Sequence, residues 1–173
     1  LVYWDEPDVP FYYSLATTFC LANRWFSSTP GPTYPNRRFL QAATAYGLTN
    51  TIESSVFQRP PNGTIWDRLD AHKIDWAVYF QNLPSYLIVP GSATDARGFR
   101  QRKFDRFLPD VAAGKLPQFT FIDPDYNTTS QENPQDIQLG EALVAEVVQA
   151  LMRAPTWKNT ALFVTYDEHD GFF

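Results

Sequence analysis

Apolar and polar positions separate most sharply at the end of the chain. Residues 161–166 (ALFVTY) are apolar and β-prone, and the run breaks off into Asp167-Glu168-His169-Asp170-Gly171. This pattern predicts a buried strand with a polar cluster just past its carboxyl end. Upstream, Gly140, Val144, Val147 and Leu151 share one helical face, with Leu143 and Val148 beside it. Asn133 as cap and Pro134 in the first turn start that helix, and Ala154-Pro155 ends it. A helix followed by a short loop and a strand is half of a parallel crossover, so the pattern predicts an α/β fold with a parallel sheet.

The rest of the chain reads in the same way. Phe11, Leu15, Phe19 and Ala22 recur at helical spacing behind Pro10, predicting a helix over 10–22. Residues 24–28 read as a short extended piece. Phe39, Leu40, Ala43 and Tyr46 predict a helix that has Pro35 at its first position and stops at Gly47. Thr64 and Asp67 have the spacing of a capping box, which predicts a short helix to about Lys73, with His72 on its solvated end. Strands are expected over 74–80 (IDWAVYF) and 118–122 (QFTFI). Between them, residues 99–113 read as a basic amphipathic helix ended or kinked by Pro109. Its Arg100, Arg102, Lys103 and Arg106 read as a solvated face. Residues 1–10, 49–62, 91–97 and 123–131 lack periodicity and read as loops.

Composition narrows the class. The chain has 173 residues, 44 % of them hydrophobic and 16 % aromatic, enough for one domain with a core and too apolar for disorder. Net charge is −5, with no basic footprint for nucleic acid. A single cysteine, Cys20, excludes an intrachain disulfide and a Cys-rich zinc site, and its apolar surroundings predict burial. No apolar run is long enough to cross a bilayer, and no signal peptide is evident. The chain lacks an initiator Met and stops directly after Gly171-Phe172-Phe173, so it reads as a portion of a larger protein, a single domain over 1–173 cut at both ends. Asn62-Gly63-Thr64 and Asn127-Thr128-Thr129 are acceptor sequons that matter only in a eukaryotic secretory setting.

Two stretches carry candidate chemistry. Asp167, Glu168 and His169 are ordinary turn residues after a strand, or a group able to hold a hard or borderline cation and to move protons. Gly31-Pro32-Thr33-Tyr34-Pro35-Asn36-Arg37 leads into a helix. Thr33 there is either a capping hydroxyl or a nucleophile facing the free N–H groups and positive dipole of a helix start, which suit a phosphate or sulfate oxyanion. Arg37 adds a fork-shaped donor for the same anion.

Residues 26–47 (FSSTPGPTYPNRRFLQAATAYG) and 157–173 (WKNTALFVTYDEHDGFF), taken together, resemble the phosphoesterase family that contains the non-specific phospholipases C and certain acid phosphatases. Its members show a T-x-P-N-R segment followed by a helix, and a Y-D-E-H-x-G-F-F segment. NGTIWDRLDAHKIDWAVYFQNLP and GKLPQFTFIDP are similar to the stretches between, so the likeness spans nearly the whole chain in order. The resemblance implies a three-layer α/β/α sandwich of alkaline-phosphatase type, here an incomplete portion of it. It implies Thr33 as the nucleophile of a phospho-enzyme, Asn36 and Arg37 as phosphate-binding or loop-orienting residues, and Asp167 and Glu168 as ligands of one or more divalent metal ions. It implies His169 as a phosphate contact or as proton donor to the leaving group. The implied substrate is a phospholipid or a small phosphoester, met by transient contact with a membrane surface, and the implied location is secreted or periplasmic.

The chain departs from the family pattern at three points. The E-N-x-S-F-D-H segment that completes the family's metal site is not in it. Asn133 stands where an H-P pair is usual, and the Asp-His that follows G-F-F would lie beyond Phe173. A catalytically silent binding module is therefore the competing reading. The outline also matches sulfatases, but Thr cannot become the aldehyde those enzymes use.

Overall fold

The computed structural model describes residues 3–51, 59–88 and 99–169. In chain order these form α1 (Pro10–Thr18), α2 (Thr33–Ala42), α3 (Ile65–Ala71), β1 (Trp76–Phe80), β2 (Gln101–Lys103), α4 (Phe107–Ala112), β3 (Phe119–Asp123) and α5 (Ile137–Arg153). The strands make a parallel sheet in the order β2-β1-β3, with Val78 opposite Gln101 and Phe80 opposite Asp123. The expectation of an α/β fold with a parallel sheet is met at this level.

The middle strand explains the layering. Trp76, Ala77, Val78 and Tyr79 of β1 are all fully buried, as a continuous apolar run in a parallel sheet requires. Successive side chains point to opposite faces. Ala77 and Tyr79 pack with Phe107 and Val111 of α4 and with Leu143, Val147 and Leu151 of α5. Trp76 and Val78 pack with Trp66 and Leu69 of α3 and with Tyr86. On that second face Trp66 meets Trp76 at 4.7 Å and Tyr86 at 5.7 Å between ring centres. The Thr64–Asp67 capping box is present at the start of α3, and His72 is exposed at its end.

Several elements differ from the expectations. Residues 161–166 form no strand, and Phe163 is 86 % exposed. Among the described residues no strand pairs with this run, so its alternating side chains have no sheet to bury them against. The predicted helix over 99–113 is instead strand β2, one turn of 3-10 helix (Phe104–Arg106) and α4. Pairing with β1 overrides the helical spacing, and the basic side chains are paired rather than merely solvated. Arg100 bonds Asp75 at 2.8 Å and lies over the Trp76 ring, and Arg102 bonds Asp110 at 3.0 Å. Pro109 falls in the first turn of α4, where the missing N–H costs nothing.

Helix ends shift for local reasons. α1 stops at Thr18, because Phe19 turns extended and meets Trp157 edge-on. α2 starts at Thr33 rather than Pro35, and it closes at Ala43 (φ 57) rather than running to Gly47. α5 is capped three residues later than expected, by Asp136, whose carboxylate accepts the Gln138 N–H. Cys20 is exposed rather than buried, since the chain has left α1 there. The readings of 91–97, of 52–58 within the 49–62 loop and of Asp170-Gly171 lie outside the described residues. No described helix is long and apolar enough to cross a membrane.

Candidate functional site

The site begins with a loop tied down from the helix that follows it. Asn36 is buried in the first turn of α2 and reaches back over the preceding chain. Its amide donates to the carbonyls of Thr29 (3.1 Å) and Gly31 (2.8 Å), and its carbonyl accepts the Thr29 N–H (3.1 Å). These bonds fix the chain that delivers Thr33, and they keep Asn36 beneath the loop. Thr33 is the first residue of α2. Pro32 takes the cap position and no side chain caps the helix, so the Thr33 hydroxyl is not used as a cap.

Arg37 lies one turn after Thr33 on the same side of α2. It joins two carboxylates that are distant in sequence. Its Nε donates to Asp167 at 2.5 Å, across 130 residues. Its Nη1 donates to Asp123 (2.8 Å) and to the Tyr126 hydroxyl (2.7 Å), and the guanidinium lies 5.1 Å from the Tyr126 ring centre. Among the described residues Nη2 makes no hydrogen bond.

Asp123 ends β3 and is fully buried. Tyr126 donates to the same oxygen as Arg37, at 3.1 Å, and the other oxygen accepts the Ser85 N–H (2.8 Å) and the Ser85 hydroxyl (3.0 Å). Burial pushes the Asp123 carboxyl above its ordinary range, while Arg37 and Ser85 pull it back. For Arg37, burial opposes the charge, but Asp167, Tyr126 and Asp123 outweigh it and hold the pKa above the ordinary value. Burial, and after it Asp123, raise the Tyr126 phenol, so it stays a neutral donor.

Thr33, Arg37, Tyr126, Tyr166, Asp167 and Glu168 line one cleft. Four of the six residues expected to act together are thus brought together from the two ends of the chain. Asn36 is not part of the lining, and neither is His169, which lies half-buried just beyond it. Asp123 and Tyr126 were missed, because residues 123–131 read as a loop. The available signal was the one that marked Asp167: an acid directly after an apolar strand, at the sheet's carboxyl edge.

Asp167 and Glu168 are hard oxygen donors suited to calcium or magnesium. Among the described residues, however, no group of three or more His, Cys, Asp or Glu is placed to hold an ion, and Asp167 is engaged by Arg37. The described residues alone do not make a metal site.

Comparison with known proteins gives the family. Non-specific phospholipase C6 of Arabidopsis thaliana is 40% identical over 172 residues, covering 95% of this chain and 33% of the relative's length. Non-specific phospholipase C1 of the same plant is 32% identical, covering 97% and 33%. Non-hemolytic phospholipase C of Pseudomonas aeruginosa is 31% identical, covering 100% and 28%. The chain spans about a third of the length of these curated relatives. The family model described as "Phosphoesterase family" matches residues 1–173, and the chain belongs to that family.

Proposed function

We propose that the intact protein is a phosphoric ester hydrolase of phospholipase C type, using Thr33 as nucleophile. The observation that carries this reading is the meeting of Thr33 and Arg37 with Asp167 and Glu168 in one cleft. The names of the relatives favour a phospholipid substrate over a small phosphomonoester. The sheet, covered by helices on both faces of β1, supports one part of a three-layer α/β/α sandwich within a single phosphoesterase domain. Location outside the cytoplasm belongs to the same proposal.

The roles follow from charge and position. A phosphodiester is anionic, so it needs donors and relief of charge before an oxygen can attack it. The uncapped start of α2 and the Nη2 edge of Arg37 supply N–H donors for the phosphoryl oxygens. Asn36 holds the loop so that the Thr33 hydroxyl is fixed for in-line approach. Bond formation from Thr33 to phosphorus, with its hydroxyl proton released to solvent and the bond to the leaving oxygen broken, leaves an ester on Thr33 that water then hydrolyses: a phosphocholine diester from phosphatidylcholine, phosphothreonine from p-nitrophenyl phosphate. His169 supplies the proton to the leaving oxygen. Asp167 and Glu168 are the residues that would contribute to a divalent cation site, and such a cation would neutralise phosphoryl oxygens. The described residues supply no third ligand.

The test uses the intact protein and two substrates, phosphatidylcholine and p-nitrophenyl phosphate, with and without chelator, alongside Thr33→Ala. Turnover abolished in the variant is expected, faster on the phospholipid. Faster turnover of the phosphomonoester would reassign it as a phosphatase. Equal inertness of wild type and variant on both substrates, with each divalent metal tried, would overturn the reading in favour of a silent module.

A further inference from the structure

Gln131 lines the cleft and has a backbone that asks for explanation. Its φ is 65°, in the left-handed region that a non-glycine residue occupies only when its surroundings over-determine it. The side chain is fully committed. Its Oε1 accepts two phenol hydroxyls, from Tyr12 at 2.7 Å and from Tyr166 at 2.8 Å. Its Nε2 donates to the Ile137 carbonyl in the first turn of α5, at 2.8 Å. An amide is the neutral group that can accept twice and donate at once in this way.

Two further features hold the arrangement. A Cβ on Gly140 would lie 2.1 Å from Gln131 Cγ, so only glycine at 140 lets Gln131 lie against α5. Tyr12 is itself anchored, its N–H donating to Glu141 at 3.0 Å and its ring 6.3 Å from that of Tyr166. Tyr166 is the residue before Asp167. Residues 161–166 pair with no described strand, so side chains set the position of the segment that carries Asp167 and Glu168.

We propose that Gln131, with Tyr12 and Tyr166, is a positioning strap that ties this acidic segment to α1 and α5 and so fixes Asp167 and Glu168 opposite Thr33. The proposal rests on the phosphoester hydrolase reading of the cleft. The strap touches no reacting atom; it acts through the residue beside Asp167. Loss of the strap leaves the carboxylates present but loosely placed, which lowers turnover more than binding.

The test measures kcat and KM in the intact protein on whichever of the two substrates wild type turns over faster. Variants are Tyr166→Phe, Tyr12→Phe, the double variant and Gln131→Met, with Asp167→Asn as reference. Thermal unfolding is followed for each. Tyr166→Phe and Gln131→Met are expected to lose about tenfold in kcat with KM within about twofold. Tyr12→Phe should lose less, and the double variant should fall no further than Gln131→Met, because all act through one amide oxygen. Tyr166 is 55 % exposed, so Tyr166→Phe folds even if Gln131→Met does not. Wild-type kcat in Tyr166→Phe beside an inactive Asp167→Asn would overturn the strap while sparing the hydrolase reading. Wild-type kcat in Asp167→Asn would overturn the role given to the acidic segment, and the strap with it.

Discussion

Replacing Asp123 by Asn should separate the frame of the site from its chemistry. The side chain is fully buried at the end of β3, and four donors converge on it: Arg37, Tyr126, the Ser85 N–H and the Ser85 hydroxyl. Asparagine keeps the shape but has one oxygen instead of two. Its NH2 group must face either Ser85 or Arg37, donor against donor. One charge-assisted bond is lost, a contribution of about 1.5–3 kcal/mol, and a buried donor left unpaired costs about 1–3 kcal/mol more. Arg37 keeps Asp167 as a charged partner, which restrains the loss. The expected destabilisation is therefore about 3–4 kcal/mol, a large share of the usual 5–15 kcal/mol of a folded domain. Urea titration of the intact protein, followed by fluorescence, reads it directly. Turnover of the folded variant should also fall, since Arg37 loses the partner that orients it. A loss below about 0.5 kcal/mol, the level of an ordinary surface change, would refute the reasoning and show that Asp123 is not the anchor of Arg37.

Two other outcomes follow from the packing. The Asp110 carboxyl is held below its ordinary value: burial raises it, but the Tyr79 hydroxyl (2.7 Å) and Arg102 outweigh burial. A carboxylate depressed in the folded state contributes stability above its unfolded pKa of about 4 and loses it as pH falls through the folded value. Wild type should thus lose more unfolding free energy than Asp110→Asn between about pH 6 and pH 3, and parallel losses in denaturant titrations would contradict this. Trp66→Ala should destabilise by about 3–5 kcal/mol, because Trp66 is fully buried among aromatic rings and its indole N–H bonds Gln41 of α2 at 3.0 Å. Calorimetry checks it, and a cost under about 1 kcal/mol would mean that this face of the sheet is not packed as described.

What was legible in the sequence was what short-range rules govern. The capping box at Thr64 and the apolar face of α5 depend on neighbours three or four residues away, the β1 run shows in its unbroken apolar residues, and each appears close to its expected place. The errors arose where distant partners decide. β2 is a strand because β1 lies beside it, and Arg100 and Arg102 are paired because Asp75 and Asp110 are brought to them. Residues 161–166 have strand periodicity, but a strand needs a hydrogen-bonded neighbour, which the described residues do not provide. At the site, Thr33, Arg37, Asp167 and Glu168 stood out by residue type and by likeness to a family. Asp123 and Gln131 did not, since their roles come from Arg37, Tyr12 and Tyr166, which are remote in the chain. Of these, Asp123 could have been found, as an acid ending an apolar strand.

Under the proposed mechanism the Thr33 hydroxyl takes the phosphoryl group. The most direct measurement is acid quench of the intact protein during steady turnover, followed by digestion and mass spectrometry of the peptide that contains residue 33. A phosphocholine ester is expected at position 33 with phosphatidylcholine, and phosphothreonine with p-nitrophenyl phosphate, each present during turnover and absent without substrate. Turnover with no such adduct, or with the adduct on another residue, would overturn Thr33 as the nucleophile.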